Sequence, residues 1–253
     1  MSPDIVASTE SEPKPLSEVS RLTGVFFEPG KTFADIAQRP RWLVPLVIGI
    51  LFSVGYLYAF STRIGWESYM HRVMDNNPRV QQLPPEQRQR ILDTQLKFVP
   101  ISSMVSVVVG APVMLLLWAG IALGIVKGLL GAPIRFKQAF AALCYAGLPR
   151  ILYSVLATIV MFLTKDPENF DVQNGFFSNP GALMDPQNSS KFLYTLASSL
   201  DVFTFWVLIL AAMGLKAAGG KRLSFGGALF AVALPWAVLV FIRGGLAAAG
   251  LMG

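Results

Sequence analysis

The chain has 253 residues, 53% of them hydrophobic and only 14% charged, with a formal net charge of +6. The apolar residues run in long blocks rather than in stripes, which excludes an ordinary soluble domain and predicts an all-α polytopic membrane protein. The basic surplus is spread over connections between the blocks and carries no base-reading motif, so a lipid bilayer is the expected partner and nucleic acid is not.

Residues 1–15, rich in Ser, Pro, Glu and Lys, read as a disordered tail. The first apolar block begins only near Trp42, so no signal peptide is expected. Over residues 16–41, Leu16, Val19, Leu22 and Phe26 recur at helical spacing, and after a Pro29-Gly30 turn so do Phe33, Ile36 and Ala37. These predict two short amphipathic helices at the membrane surface. Phe26, Phe27, Pro29, Lys31 and Phe33 are the candidate surface and partner-binding residues. Gly30-Lys31-Thr32 resembles the end of a phosphate-binding loop, but Val25 stands where that loop needs glycine and no strand precedes it.

The membrane domain, residues 42–253, divides into five spans at about 42–60, 99–126, 139–163, 194–215 and 225–250. Between the first two, Trp66, Met70 and Val73 share one helical face, and a further helix starts at Pro84-Pro85-Glu86, which together make a structured cap. Gly120, Gly124 and Gly128 recur every fourth residue on the second span, where another helix can approach closely, within this chain or in a homo-oligomer. Lys127, Arg135 and Lys137 form a basic turn, and the third span carries a break at Leu148-Pro149-Arg150. Asp166, Glu168, Asp171 and Asp185 make the next connection acidic, without calcium-loop spacing. Asp201 lies in the fourth span, Lys216, Lys221 and Arg222 follow it, and the fifth span holds Pro235 and Arg243. The basic turns place the N-terminus in the cytoplasm and the C-terminus outside. The arginine-rich connection between the first two spans opposes that assignment.

Trp118, Lys127, Phe136, Ala142-Leu143 and Leu148-Pro149 are echoed by Trp206, Lys216, Phe225, Ala228-Leu229 and Leu234-Pro235. This suggests a parallel repeat of a helical hairpin in which Pro149 and Pro235 are equivalent kinks. Arg150, Asp201 and Arg243 are the ionisable residues within spans. Either they form a neutralised pair that locks the bundle, or they line a polar site for an ion or solute beside the kinked helices. One cysteine, Cys144, and one histidine, His71, exclude an intramolecular disulfide, HExxH zinc sites and a Ser-His-Asp triad. No enzyme, catalytic residue, metal or cofactor is expected.

Phe27-Glu28-Pro29-Gly30-Lys31-Thr32-Phe33 ahead of Pro40, Trp42 and Pro45, then Tyr145 with Pro149, and Leu200-Asp201 with Phe203, Trp206 and Gly214 resemble the Yip family of Ypt/Rab-GTPase-interacting membrane proteins, in its prokaryotic form. The resemblance runs from about Leu16 onward. It implies five spans, a cytosolic N-terminus and a scaffold or adaptor role in organising the membrane, with a Rab-type GTPase as partner only in a eukaryote. A bacterial plasma membrane is the expected location. The alternative is a small transporter or channel built on the proline-broken helices and Arg150 with Asp201.

Overall fold

The computed structural model describes residues 15–75, 77–166, 170, 174–185 and 188–250. Nearly all of the expected tail, and Glu168 and Asp171 of the acidic connection, lie outside these described residues. Twelve α-helices and no strand occur among them.

Helix α1 (Glu18–Phe27) opens at Ser17, whose hydroxyl accepts the Ser20 N–H at 3.1 Å. Helix α2 (Pro29–Gln38) begins on Pro29, where the missing proline N–H is one the first turn does not use. A single residue, Glu28 at φ −134° and ψ 56°, makes the elbow between them. Pro29 and Gly30 therefore start a helix instead of forming the expected turn. The apolar face of this hairpin, Val25, Phe33 and Ile36, is buried in the main core. It packs on α8 (Phe136–Ala146) and α11 (Val202–Gly219) rather than lying in lipid. Val19 and Phe27 point the other way and are exposed.

Five segments are long and apolar enough to cross a membrane. The first is α3 (Leu43–Arg63), followed by α4 (Trp66–Asp75) and the short α5 (Pro78–Gln81). Helix α6 (Pro85–Val105), a π-helical turn at Ser106–Gly110 and α7 (Ala111–Gly128) then form one continuous 44-residue rod. At about 1.5 Å per residue the rod is about 66 Å long, twice the roughly 30 Å hydrocarbon layer. The cap helix and second span expected as separate elements are thus a single helix. The switch from polar to apolar side chains near Val99 changes the solvent around the helix without changing its backbone preference.

The third span is broken at the place expected from Leu148-Pro149-Arg150, and the fourth differs from expectation. The third stops at Gly147 and restarts as α9 (Pro149–Leu163), with Pro149 as its first residue. The fourth begins only at Val202 with α11, and α10 (Lys191–Ser199), expected as the start of the same span, is a separate helix that ends before Leu200-Asp201. Asp201 is not inside a helix: its carboxylate accepts the Thr204 N–H at 3.0 Å and caps α11. A short acidic side chain competes for backbone donors in this way, which ends one helix and starts another. The fifth span, α12 (Phe225–Ala248), runs unbroken through Pro235. Pro149 starts a helix and Pro235 stays inside one, so they are not equivalent kinks.

Helices α7, α8, α11 and α12 pack in a closed ring, each against two of the others. The ring's interior is rich in small residues, among them Ala119, Ala122, Ala139, Ala211, Ala228 and Ala231, which let the backbones approach closely. Helix α3 flanks α9, where Phe60, Ile64, Met161 and Phe170 form a second cluster. Leu51, Leu117, Ile121 and Phe241 are exposed on the outer surface, as side chains facing lipid must be.

Gly120, Gly124 and Gly128 are exposed on this outer surface, and a Cβ added at any of them meets nothing within 4 Å. They are not a packing face within the chain. Ala119, Ala122 and Val126, on the neighbouring stripe of the same helix, are. The tightest approach between ring helices comes instead at Gly214, where a Cβ would stand 2.6 Å from the Ala142 Cβ and 3.0 Å from the Phe33 ring.

Candidate functional site

Two polar arrangements interrupt this apolar bundle. The first fastens the N-terminal hairpin. Arg21 is 1% exposed, and its guanidinium donates from Nε to Asp35 at 2.7 Å and lies 2.5 Å from the same carboxylate through its second nitrogen. Asp35 also accepts the Leu16 N–H at 3.2 Å, and Glu18 sits 3.4 Å from Arg21 on the preceding turn of α1. The Tyr145 hydroxyl, on α8, donates to Glu18 at 2.7 Å. Burial pulls the Arg21 ionisation down, but the hydrogen bonds and charge of Asp35, aided by Tyr145 and Glu18, outweigh it and hold the group above its ordinary range. Gln138 adds a second tie by donating to the Ala37 carbonyl at 2.8 Å. The hairpin is therefore locked to the ring by buried charge as well as by Phe33.

The hairpin's outer side is different in character. Phe27 is 84% exposed beside Pro29 at the elbow, and Lys31 pairs with Glu28 at 3.2 Å in a solvent-facing position. Phe26 turns inward and meets Trp206 edge-on, with centroids 5.7 Å apart. Of the candidate partner-binding residues, Phe26 and Phe33 are thus structural contacts, and Phe27 and Lys31 are accessible. The same end of the bundle carries Lys127, Arg135, Lys137, Lys216, Lys221 and Arg222, all exposed, with no ion pair to any of them among the described residues.

The second arrangement lies at the breaks in the third and fourth spans. Arg150 is the second residue of α9, and its side chain is exposed. It interacts electrostatically with Asp201, but no ion pair within 4 Å joins them. Both Asp201 oxygens are already engaged, one by the Thr204 N–H and the other by the hydroxyl of buried Ser178. The Ser178 carbonyl in turn accepts the Val202 N–H at 3.0 Å, so this residue clamps the start of α11. Arg243, near the end of α12, is exposed and makes no ion pair among the described residues either. Among the described residues the salt-bridge lock expected of these three residues is not formed, and Asp201 serves as a helix cap.

On the opposite end of the bundle, Arg63 donates to the Thr164 carbonyl at 2.8 Å and Arg72 to the Phe170 carbonyl at 2.7 Å. These bonds tie the cap to the connection after α9, which explains arginines that seemed misplaced by charge alone. Among the described residues no group of three or more His, Cys, Asp or Glu is placed to hold a metal ion.

Sequence reasoning missed the Glu18, Arg21 and Asp35 cluster. The signal was present: Arg21 shares a helical face with Val25, four residues on, and a charge on the apolar face of an amphipathic helix calls for a buried partner. A family model described as the Yip1 domain matches residues 23–245. No curated protein and no solved structure matches the chain.

Proposed function

We propose, from the premise that the chain belongs to the Yip1 domain family, that it is a non-enzymatic integral membrane adaptor working through its hairpin-bearing end. In this reading the five spans anchor a rigid platform in a bacterial plasma membrane. The hairpin and basic turns face the cytoplasm, and the cap and C-terminus face outward, as the exposed basic residues favour. The observation that carries the reading is the elbow. Phe27 stands exposed on a hairpin whose other face is fixed by Arg21, Asp35 and Phe33. An aromatic side chain held out by a rigid support is suited to a partner's pocket or to the headgroup layer. The surrounding lysines and arginines add attraction for acidic protein surfaces or anionic lipid.

A photo-crosslinking phenylalanine analogue at position 27, in membranes from the native host, tests this. A discrete protein adduct that disappears with Lys31→Glu supports an adaptor, and adducts to phospholipid alone would reduce the elbow to a membrane anchor. A second reading, a small transporter or channel, is favoured by Arg150, whose side chain makes no ion pair among the described residues. Solute flux in proteoliposomes that is abolished by Arg150→Gln in a folded protein would replace the adaptor reading with that one.

A further inference from the structure

We infer that the cavity enclosed by α4, α5 and α6, at the end of the bundle away from the hairpin, binds a small zwitterion with an apolar side chain, an α-amino acid being the class that fits. Residues from all three helices line it. Gln81 donates to the Asp75 carbonyl and so ties α5 to the end of α4, and Leu92, only 4% exposed, contributes from α6. The space left between them is about 240 Å³. Pockets for drug-sized ligands hold roughly 300–1,000 Å³, so this one takes a smaller molecule.

The walls divide by chemistry. Met74, Val80 and Leu92 are apolar, whereas His71, Asp75 and Arg88 bring an imidazole, a carboxylate and a guanidinium. Among the described residues, the side chains of these last three make no hydrogen bond or ion pair. The two glutamines of the wall differ, since Gln81 is engaged with the Asp75 carbonyl and Gln89 with Asp93 at 2.9 Å. Arg88 is half-buried and its Nε is buried without an acceptor, so its stem is packed into the cap while no protein carboxylate takes its charge. Asp75 lines the same cavity, yet no ion pair within 4 Å joins the two. Opposite charges that share a cavity without meeting leave room for a ligand that carries both signs. The guanidinium fork suits a carboxylate through two parallel hydrogen bonds. The Asp75 carboxylate, with His71 one turn earlier on the same helix, suits an ammonium. An α-amino acid carries both groups on one carbon, and its side chain is left for the apolar wall. A few polar groups that fix orientation beside an apolar surface are the usual make-up of a small-molecule site.

Equilibrium binding of tritiated L-leucine to the purified full-length protein in detergent tests the assignment. Wild type is expected to bind one leucine per chain, saturably. As competitors, 4-methylpentanoate lacks the ammonium, 3-methylbutylamine lacks the carboxylate and glycine lacks the apolar side chain. Each should be weaker than unlabelled L-leucine, the two singly charged analogues by about tenfold or more. Asp75→Asn and Arg88→Gln should each weaken leucine binding by about tenfold or more. Glu67→Gln and Arg90→Gln, charge changes on the same two helices outside the cavity, should leave it unchanged. The competitors act on wild type, so they read the same two charges should a variant not fold. The assignment is overturned by no saturable binding up to about 10 mM leucine, by a competitor as strong as leucine, or by undiminished binding in folded Asp75→Asn or Arg88→Gln.

Discussion

Arg21 is buried whereas Arg150 is exposed, so it is Arg21 whose charge the protein itself must balance. A guanidinium taken out of water is tolerated when its donors are satisfied and its charge balanced, and Arg21 has both in Asp35 and Glu18. Removing one partner leaves the other charge stranded, so Asp35→Asn is expected to cost about 3–5 kcal/mol of stability. Arg21→Met combined with Asp35→Leu should recover most of it, because an apolar pair of similar size needs no solvation. Thermal unfolding of the two variants in one detergent decides; an unaltered midpoint in Asp35→Asn contradicts the clasp. Tyr145→Phe removes the hydroxyl that bonds Glu18 and supports Arg21 and should cost about 1–3 kcal/mol, measured in the same way.

Among the helices, the glycines separate into two classes by what surrounds them within the chain. Gly120, Gly124 and Gly128 have the regular interval, yet they face outward with nothing near them. Alanine at any of these three should leave stability unchanged or raise it by up to about 1 kcal/mol through helix propensity. Gly214 has no partner at that interval, but Ala142 and Phe33 close on it from two helices. Gly214→Ala forces α11 away from α8 and from the hairpin together, at an expected cost of about 1–3 kcal/mol. Denaturation of Gly124→Ala and Gly214→Ala side by side tests the distinction, and equal effects would show that the ring tolerates a wider α8–α11 spacing. The glycine ladder was visible because periodicity needs only the chain itself. The need for Gly214 depends on which helices meet there, and no local pattern encodes that.

For the molecule as a whole, the proposed orientation makes a labelling prediction. In a Cys144→Ala background, cysteine at position 31 should react with a membrane-impermeant maleimide only from the cytoplasmic face, and cysteine at position 90 only from outside. Both side chains are exposed at opposite ends of the bundle. Labelling of both from one side would remove the five-span topology. The all-α class, the five spans, the two N-terminal helices and the family resemblance were all readable without coordinates. Each rests on composition or on the 3.6-residue period, which the hydrophobic requirement of a bilayer imposes locally. The sequence also marked Arg150 and Asp201 as costly residues, since a charge among apolar neighbours is conspicuous wherever it points. Whether those two charges pair, which face of α7 packs, and where Arg21 finds its carboxylate were decided only in three dimensions. Asp201 caps α11 and holds Ser178, and no ion pair within 4 Å joins it to Arg150. Arg21 meets Asp35 because two short helices fold back at Glu28 and are pressed onto α8 and α11. Competition for hydrogen bonds and close packing between distant segments are properties of the assembled bundle, and only its tertiary structure could settle them.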